Sequence, residues 1–408
     1  MKILSFDAYH YPEQVASAYL GDNIREEWQK RGFENILFVP SPSRGLDKNV
    51  IKEYKRKKIE YLNDGKTILF RFTLMDEGHS LLCRVWRYLF LCWKFARLGV
   101  KSKYAKNCDV IYLGSTPPII GLAAIYIKKK RHIPFIYNLQ DIFPDSLVGA
   151  GLAPKDGLIW KIGRKIEDYI YRNADNIIVI SEDFKRNILE KGVPENKIDV
   201  VYNWVDEQSV VDIPRSKNKL FDKYGLDKSK FYITYNGNIG LTQNIDMLVE
   251  VAHDLESNSD IQFVLVGNGA YRHTLEKIIS EQNIKNIILI PFQPYEDISH
   301  VFSLGDISLV ISKPGVGANS VPSKTWSIMS ASRPVLANFD ENELKDILEI
   351  NKCGLFTKAG DKDAFEKAIL QFYNNQAFCK ECGYNGRHFI MQNLTKSIGA
   401  VKYADIVY

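Results

Sequence analysis

Five short segments hold residue types that can handle anions or move protons. They are "AYHYPEQVASAYLG" (8–21), "NLQDIFPDS" (138–146), "YNGNIGLTQNID" (235–246), "VGNGAYRHTLE" (266–276) and "PGVGANSVPSKTWSIMSASRPVLA" (314–337). Glycines let a backbone approach a ligand closely, and Asn, Thr and Gln side chains can cap or donate. Loop N–H groups converging with a cation on the way into a helix suit phosphate. Lys324 is the one cation of the 314–337 segment before its helix, and Gly237, Asn238, Gly240, Gln243 and Gly267 supply the loops. Each segment alone also fits an ordinary loop between sheet and helix; "GNGAYR" is not a full G-x-G-x-x-G.

"NLQDIFPDS" closes a β-rich run with Gln140 and Asp141. A carboxylate at the C-terminal end of a parallel strand can orient a hydroxyl or accept its proton. It can equally cap the following turn. For Asp145, four residues on, the cap is the preferred reading. The only D-x-D, Asp361-Lys362-Asp363, directly precedes a helical pattern and reads as an N-cap with a first-turn acid, not a metal site. Cys379 and Cys382 form a C-x-x-C followed by His388, without the further ligands a structural zinc needs. No metal and no cofactor are therefore expected.

These loops need a scaffold that sets them side by side. Short β-rich runs at 2–8, 35–40, 67–73, 109–115, 134–141 and 176–181 alternate with helical stretches at 21–32, 84–99 and 158–174. After a polar stretch at about 207–229 the rhythm restarts, with strands at 232–237, 261–267, 287–292, 306–312 and 334–339. Alternation of this kind means βαβ crossovers and parallel sheets covered on both faces. The expected fold class is α/β: two doubly wound, Rossmann-like parallel-sheet domains facing a central cleft, which 408 residues are enough to build.

Charge is distributed unevenly. Residues 1–200 hold 33 Lys+Arg and 24 Asp+Glu, a balance of +9, which leaves −4 for the rest of a chain whose net charge is +5. Much of the excess sits between Lys52 and Arg131, around "RVWRYLFLCWKFARLGVK" (84–101). On a helical wheel Arg84, Arg87, Lys94, Arg97 and Lys101 fall within about 140°, leaving Trp86, Leu89, Phe90, Trp93 and Phe95 for the remainder. Such a helix is either largely buried or lies in an anionic membrane interface, with Trp86, Arg87, Phe90, Trp93, Lys94 and Arg97 as contacts. Basic residues interleaved with apolar ones, and no recognition motif, argue against nucleic acid. No apolar run reaches the roughly 18 residues of a spanning helix, and the N-terminus reads as a strand and not a signal peptide, so a cytoplasmic location is expected.

Along essentially its whole length the sequence resembles the retaining glycosyltransferases of family 4, which have the two-domain GT-B fold. "NLQDIFPDS" and "SVPSKTWSIMSASRPVLA" look most like bacterial polysaccharide-assembly transferases similar to L-fucosamine transferases; "VVYNWVD" (200–206), "YNGNIG" and "LVGNGAYRHTLE" are family-general. The resemblance implies a first domain over 1–207 for the acceptor and the membrane, a second over 208–385 for a nucleotide-sugar donor, and a terminal helix over 386–408 crossing back. It implies phosphates at Gly237, Asn238 and Gly240, the base near Pro291, Phe292 and Gln293, and the donor-binding segment at Asn319, Val321, Pro322, Ser323, Lys324 and Ser327. Ala16, Ser17 and Gln140 would face the acceptor, and Asp141 would act as base or orient it. The implied reaction is transfer from a nucleotide diphosphate sugar, expected to be UDP-linked, to a polyprenyl-linked saccharide at the inner membrane face. The departures are the two glutamates of the family, replaced by Asn319 and Ser327, and its Arg and Lys, replaced by Asn238 and Gln243. A non-catalytic scaffold subunit is the alternative those losses suggest.

Overall fold

The computed structural model describes residues 1–13, 18–43, 46–75, 81–149, 153–317 and 321–408. Ala16, Ser17 and Asn319 lie outside the described residues. The chain divides into two compact units, one of Met1–Tyr202 with Ser397–Tyr408 and one of Asn203–Lys396.

The first unit is built on an eight-stranded sheet: β1 (Lys2–Phe6), β2 (Glu34–Pro40), β3 (Ile59–Leu62), β4 (Thr67–Phe72), β5 (Val110–Gly114), β6 (Phe135–Leu139), β7 (Asn176–Val179) and β8 (Ile198–Val200). Its order is β3-β4-β2-β1-β5-β6-β7-β8, parallel except for the antiparallel β3-β4 edge. Chain order reverses between β1 and β5, and at such a switch point loops part and leave a crevice. The central strands are buried along nearly their full length, so they read as continuous apolar runs.

The Leu81–Lys101 helix shows why a helix forms and which face it buries. Leu91, Phe95 and Gly99 recur every four residues and pack inward, with the Phe95 ring 4.8 Å from Phe6 and 5.7 Å from Phe72. Full burial of Phe95 contributes about 1.5–3 kcal/mol. Gly99 is where the next helix passes, since a Cβ there would lie 2.3 Å from Ile127 Cδ1. Arg87 belongs to this same inward stripe. It is 1% exposed and its Nη1 donates to the Met75 carbonyl, so it is not a membrane contact. The expected separation of a basic arc from an aromatic one is likewise corrected: cations and rings share the outward stripe.

The second unit carries a six-stranded parallel sheet, β9 (Phe231–Asn236), β10 (Ile261–Val266), β11 (Ile287–Ile290), β12 (Ile307–Ile311), β13 (Val335–Phe339) and β14 (Gly354–Lys358), in the order β11-β10-β9-β12-β13-β14. Its switch point lies between β9 and β12. One face packs Ile233, Tyr235, Phe263 and Leu309 with Leu248, Ile369 and Phe372, while the other packs Tyr232, Val264 and Ile290 with Phe221 and Leu304.

Three strands fall outside the expected runs. β3 pairs only along the sheet edge, β8 is three residues long, and β14 starts at Gly354, where a Cβ would come 2.1 Å from the Val335 carbonyl. The return to the first unit falls at Ser397, not at residue 386. The Gln376–Asn393 helix stays with the second unit, and only the Lys396–Val407 helix carries the chain back. There Arg31 pairs with Asp405 at 2.6 Å and Phe33 stacks on Tyr408.

Candidate functional site

Each unit offers a site at its own switch point. In the second unit, β9 ends at Asn236 and turns at Gly237, whose φ of 137° favours glycine. The Gly237 N–H donates to Val266 O (2.9 Å), Ile239 N–H to Asn268 O (2.9 Å) and Tyr271 N–H to Ile239 O (3.0 Å). The loops after β9 and β10 are thus zipped together. A Cβ on Gly267 would lie 1.9 Å from the Gly237 carbonyl oxygen, which is why that position has no side chain. Gly237 and Asn238 remain exposed, whereas Gly240 is buried and donates to Gln243 Oε1 at 3.1 Å. Gln243 also donates to Thr242 Oγ1 (2.9 Å), so its amide holds the loop in shape.

Lys324 opens the Lys324–Ser330 helix and lays its Nζ 3.9 Å from the centre of the Tyr235 ring. It retains some solvent contact, yet burial alone pulls its pKa down to about 7. The Tyr235 hydroxyl donates to Asn238 O at 2.8 Å, tying the ring under Lys324 to the glycine loop. Val321, Pro322 and Ser327 are half-buried and Ser323 is exposed. Pro291 and Phe292 are exposed, Phe292 strongly so. Gln293 is buried, its Nε2 donates to Tyr224 OH and Pro291 O, and its Oε1 accepts from Lys223. It supports the loop and does not offer its amide to a base.

In the first unit a cavity of about 180 Å³ opens at the ends of β1, β5 and β6, lined by Asp7, His10, Arg25, Trp28, Tyr112 and Gln140 among others. Arg25 bridges Asp7 (3.1 Å) and Asp22 (2.8 Å), and His10 Nδ1 lies 3.7 Å from Asp7 Oδ2. Burial, reinforced by Arg25 and Arg71, drives the His10 pKa down to about 2, so the ring is neutral. Burial raises Asp7 despite its guanidinium partner. Gln140 Nε2 and the Tyr403 hydroxyl both donate to Asn138 Oδ1, at 2.8 and 2.9 Å, while Asn138 Nδ2 donates to Tyr112 OH. Asp7, His10 and Arg25 escaped the sequence reading. Their signal was a polar cluster directly after the first strand, where parallel sheets place ligands.

Asp141 follows β6. Its side chain is accessible and accepts from Ser146 Oγ (3.1 Å), while its own N–H donates to Ser115 Oγ (3.3 Å). Burial by the surrounding protein outweighs the hydrogen bonds its carboxylate accepts from Ser146 and the Ile142 backbone, and raises its pKa. Asp145 is not the cap expected. It is the first residue of a short helix, accepts from Trp160 Nε1 and pairs with Lys191 at 2.7 Å, which lowers its pKa against the opposing cost of burial. Asp361 does cap, accepting from Ala364 N–H at 3.0 Å. Cys379 and Cys382 are buried in the second unit, their pKa values pushed up to about 12 by burial. Among the described residues no cluster of three or more His, Cys, Asp or Glu could hold a metal, and no helix is long and apolar enough to cross a membrane.

Two Rossmann-like parallel-sheet units are the fold of the GT-B glycosyltransferases, which are this chain's structural neighbours. The matches to known families agree: residues 22–209 match the model "Glycosyltransferase Family 4" and residues 216–389 match "Glycosyl transferases group 1". Each half of the chain thus matches the model of a glycosyltransferase domain, family 4 in the first half and group 1 in the second. It is 25% identical over 339 residues to "Probable glycosyltransferase WbjE" of Pseudomonas aeruginosa, covering 83% of each chain. It is 29% identical over 202 residues, 48% of each chain, to WcaI of Escherichia coli K12, a glycosyl transferase assigned to colanic acid biosynthesis. Among solved structures it is similar to Anabaena HepE in complex with UDP, with a TM-score of 0.74, 15% identity and coverage of 100% of this chain and 99% of that one.

Proposed function

We propose that the protein transfers a sugar, an N-acetylated amino or deoxyamino sugar, from a nucleotide diphosphate donor to a polyprenyl-linked saccharide during surface polysaccharide assembly. The observation that carries this reading is the zipped pair of glycine loops at the second unit's switch point, lying within a glycosyltransferase group 1 domain. UDP in the HepE structure and the polysaccharide assignment of WcaI support the donor and the pathway class. In this reading Gly237, Asn238 and the 321–324 segment hold the diphosphate, and Phe292 lies beside the base. Asp141 orients the acceptor hydroxyl or takes its proton, and the first unit's cavity receives the acceptor sugar. Retention of configuration needs no protein nucleophile when the leaving phosphate assists a front-face attack, and no metal enters the proposal.

The acceptor's lipid is given a surface by the first unit. On the Leu81–Lys101 helix Trp86 (65% exposed), Phe90 and Trp93 form the outward stripe, with Lys94 and Arg97 5.4–5.6 Å from the Trp93 ring centre. The Gly121–Arg131 helix packed beside it exposes Tyr126, and the Leu158–Asn173 helix packed against that one exposes Leu158, Ile159 and Ile162. Apolar rings flanked by cations suit the interface of an anionic bilayer at the inner membrane face.

A thermal-shift screen with UDP, GDP, CDP, ADP and dTDP tests the donor, with stabilisation by UDP expected. Transfer from the matching nucleotide sugar to a polyprenyl-linked saccharide, with the product's anomeric configuration read by NMR, tests the reaction. Nucleotide binding without turnover on any lipid-linked acceptor would favour the scaffold alternative.

A further inference from the structure

Lys324 stands apart from the other cations near the glycine loops. Arg272 donates to Gly267 O and Ile290 O and pairs with Glu276 at 2.9 Å, and Lys313 lies 3.8 Å from Asp246. Lys324 has no carboxylate partner among the described residues; its neighbour is the face of Tyr235. Among the described residues, the elements around it form no ion pair with it either. Arg387, on the Gln376–Asn393 helix packed against its own, donates to Val210 O and Ser330 O, and Asp340, after β13, accepts from Gly315 and Gly317 N–H. Buried lysines normally acquire a partner or give up their charge.

A second observation is a set of buried polar groups at the ends of β9 and β12 and on the helix that Lys324 opens. Both amide atoms of Asn236, at the end of β9, are buried without a hydrogen-bond partner, as are Ser312 Oγ just after β12 and Thr325 Oγ1 beside Lys324. Asn236 is 4% exposed and Thr325 fully buried. β9 and β12 are neighbours, so Asn236 and Ser312 lie at adjoining strand ends of the switch point, and Thr325 follows Lys324 in its helix. Native proteins leave few buried polar groups unpaired, and such groups at the switch point, together with a lysine that has no carboxylate partner among the described residues, suit a polar, anionic ligand.

We propose that Lys324 is the cation that reads the donor's diphosphate, and that the protein takes up a proton at Lys324 Nζ when the nucleotide binds. This rests on the donor reading above and adds its pH linkage. In the free protein burial holds the Lys324 pKa down to about 7. A diphosphate beside Nζ favours the ammonium and raises it. The sign follows: below pH 7 the ammonium already exists and binding is strongest. Above pH 7 each binding event must draw a proton from solvent, and affinity falls by up to about tenfold per pH unit until the raised pKa of the complex is reached.

The test is titration calorimetry on the full chain from pH 6 to 9, with whichever of UDP, GDP, CDP, ADP and dTDP stabilises it most. Wild type is compared with Lys324→Arg, which stays charged, and Lys324→Gln, which never is. The nucleotide's own ionisation is common to all three and drops out of the comparison. Repeating the titration in two buffers of different ionisation enthalpy counts protons. Relative to Lys324→Arg, wild type should lose about tenfold in affinity per pH unit above 7 and take up close to one extra proton at pH 8. Lys324→Gln should bind at least about tenfold more weakly than wild type at pH 6. Wild type tracking Lys324→Arg at every pH, or Lys324→Gln binding as well as wild type, would overturn the proposal while leaving the donor site standing. Absence of binding by all five nucleotides to wild type would overturn the donor reading itself, and this inference with it.

Discussion

Asp141 combines an accessible carboxylate with a raised pKa and a fixed backbone, its N–H held by Ser115 Oγ. A general base contributes about 10²–10⁴ in rate. Asp141→Asn should therefore lower sugar transfer by at least about 100-fold while nucleotide affinity, which the proposed function assigns to the second unit, stays unchanged. Steady-state transfer assays alongside calorimetry separate the two; full activity in the variant would make Asp141 a structural acceptor for Ser146. At this scale the sequence was partly legible. Gly267 could be singled out by type and spacing, and the structure shows why it has no side chain, whereas Lys324 was visible as a cation but not its place against the Tyr235 ring. Asn236, Arg25 and His10 could not be singled out, since an orphaned amide or a neutral buried imidazole is defined by what surrounds it. The partners of Gln293 were hidden for the same reason: only the fold shows its amide spent on Tyr224 and Pro291.

Elements were more legible than residues, because alternating apolar runs and helical periods are local. Helix orientation was not. The wheel of the Leu81–Lys101 helix contains both stripes, and only the packing of Leu91 and Phe95 shows that Arg87 turns inward. This separates two variants. Trp93→Ala should reduce co-sedimentation with anionic vesicles several-fold, with the remaining binding fading between about 0.1 M and 1 M salt as screening shortens. Arg87→Ala should leave vesicle binding intact and instead destabilise the fold by about 1–3 kcal/mol, through the Met75 carbonyl it leaves unpaired. Equal loss of vesicle binding in both would contradict the assignment of faces. Gly267→Ala probes the zipped loops. With the Gly237 carbonyl 1.9 Å from the new Cβ, backbone must shift, and nucleotide affinity should fall at least about tenfold even where the far-UV circular dichroism is native.

At the scale of the whole chain, the two units and their sheets follow from the restart of the βα rhythm, but the point of return does not. The Gln376–Asn393 and Lys396–Val407 helices are separated by two residues and differ little in composition, so the boundary at Ser397 is set by packing. Ala400, Tyr403, Ala404 and Val407 are all at most 5% exposed, and Tyr403 hydrogen-bonds Asn138 at the cavity wall. Full burial of the larger of these side chains contributes about 1.5–3 kcal/mol each. A variant ending at Lys396 loses them from the first unit, while Val205 N–H still donates to Leu394 O within the second. Calorimetric melting should then show the first unit unfolding earlier by on the order of 10 °C. Nucleotide affinity should remain within about twofold of wild type, because every residue of the glycine loops and Lys324 lies in the unit left whole. Transfer should fail in the same variant, since the Tyr403 wall of the acceptor cavity is gone. Loss of nucleotide binding together with the early melting would mean that the last helix supports the donor site as well, and the division of labour between the units would have to be redrawn.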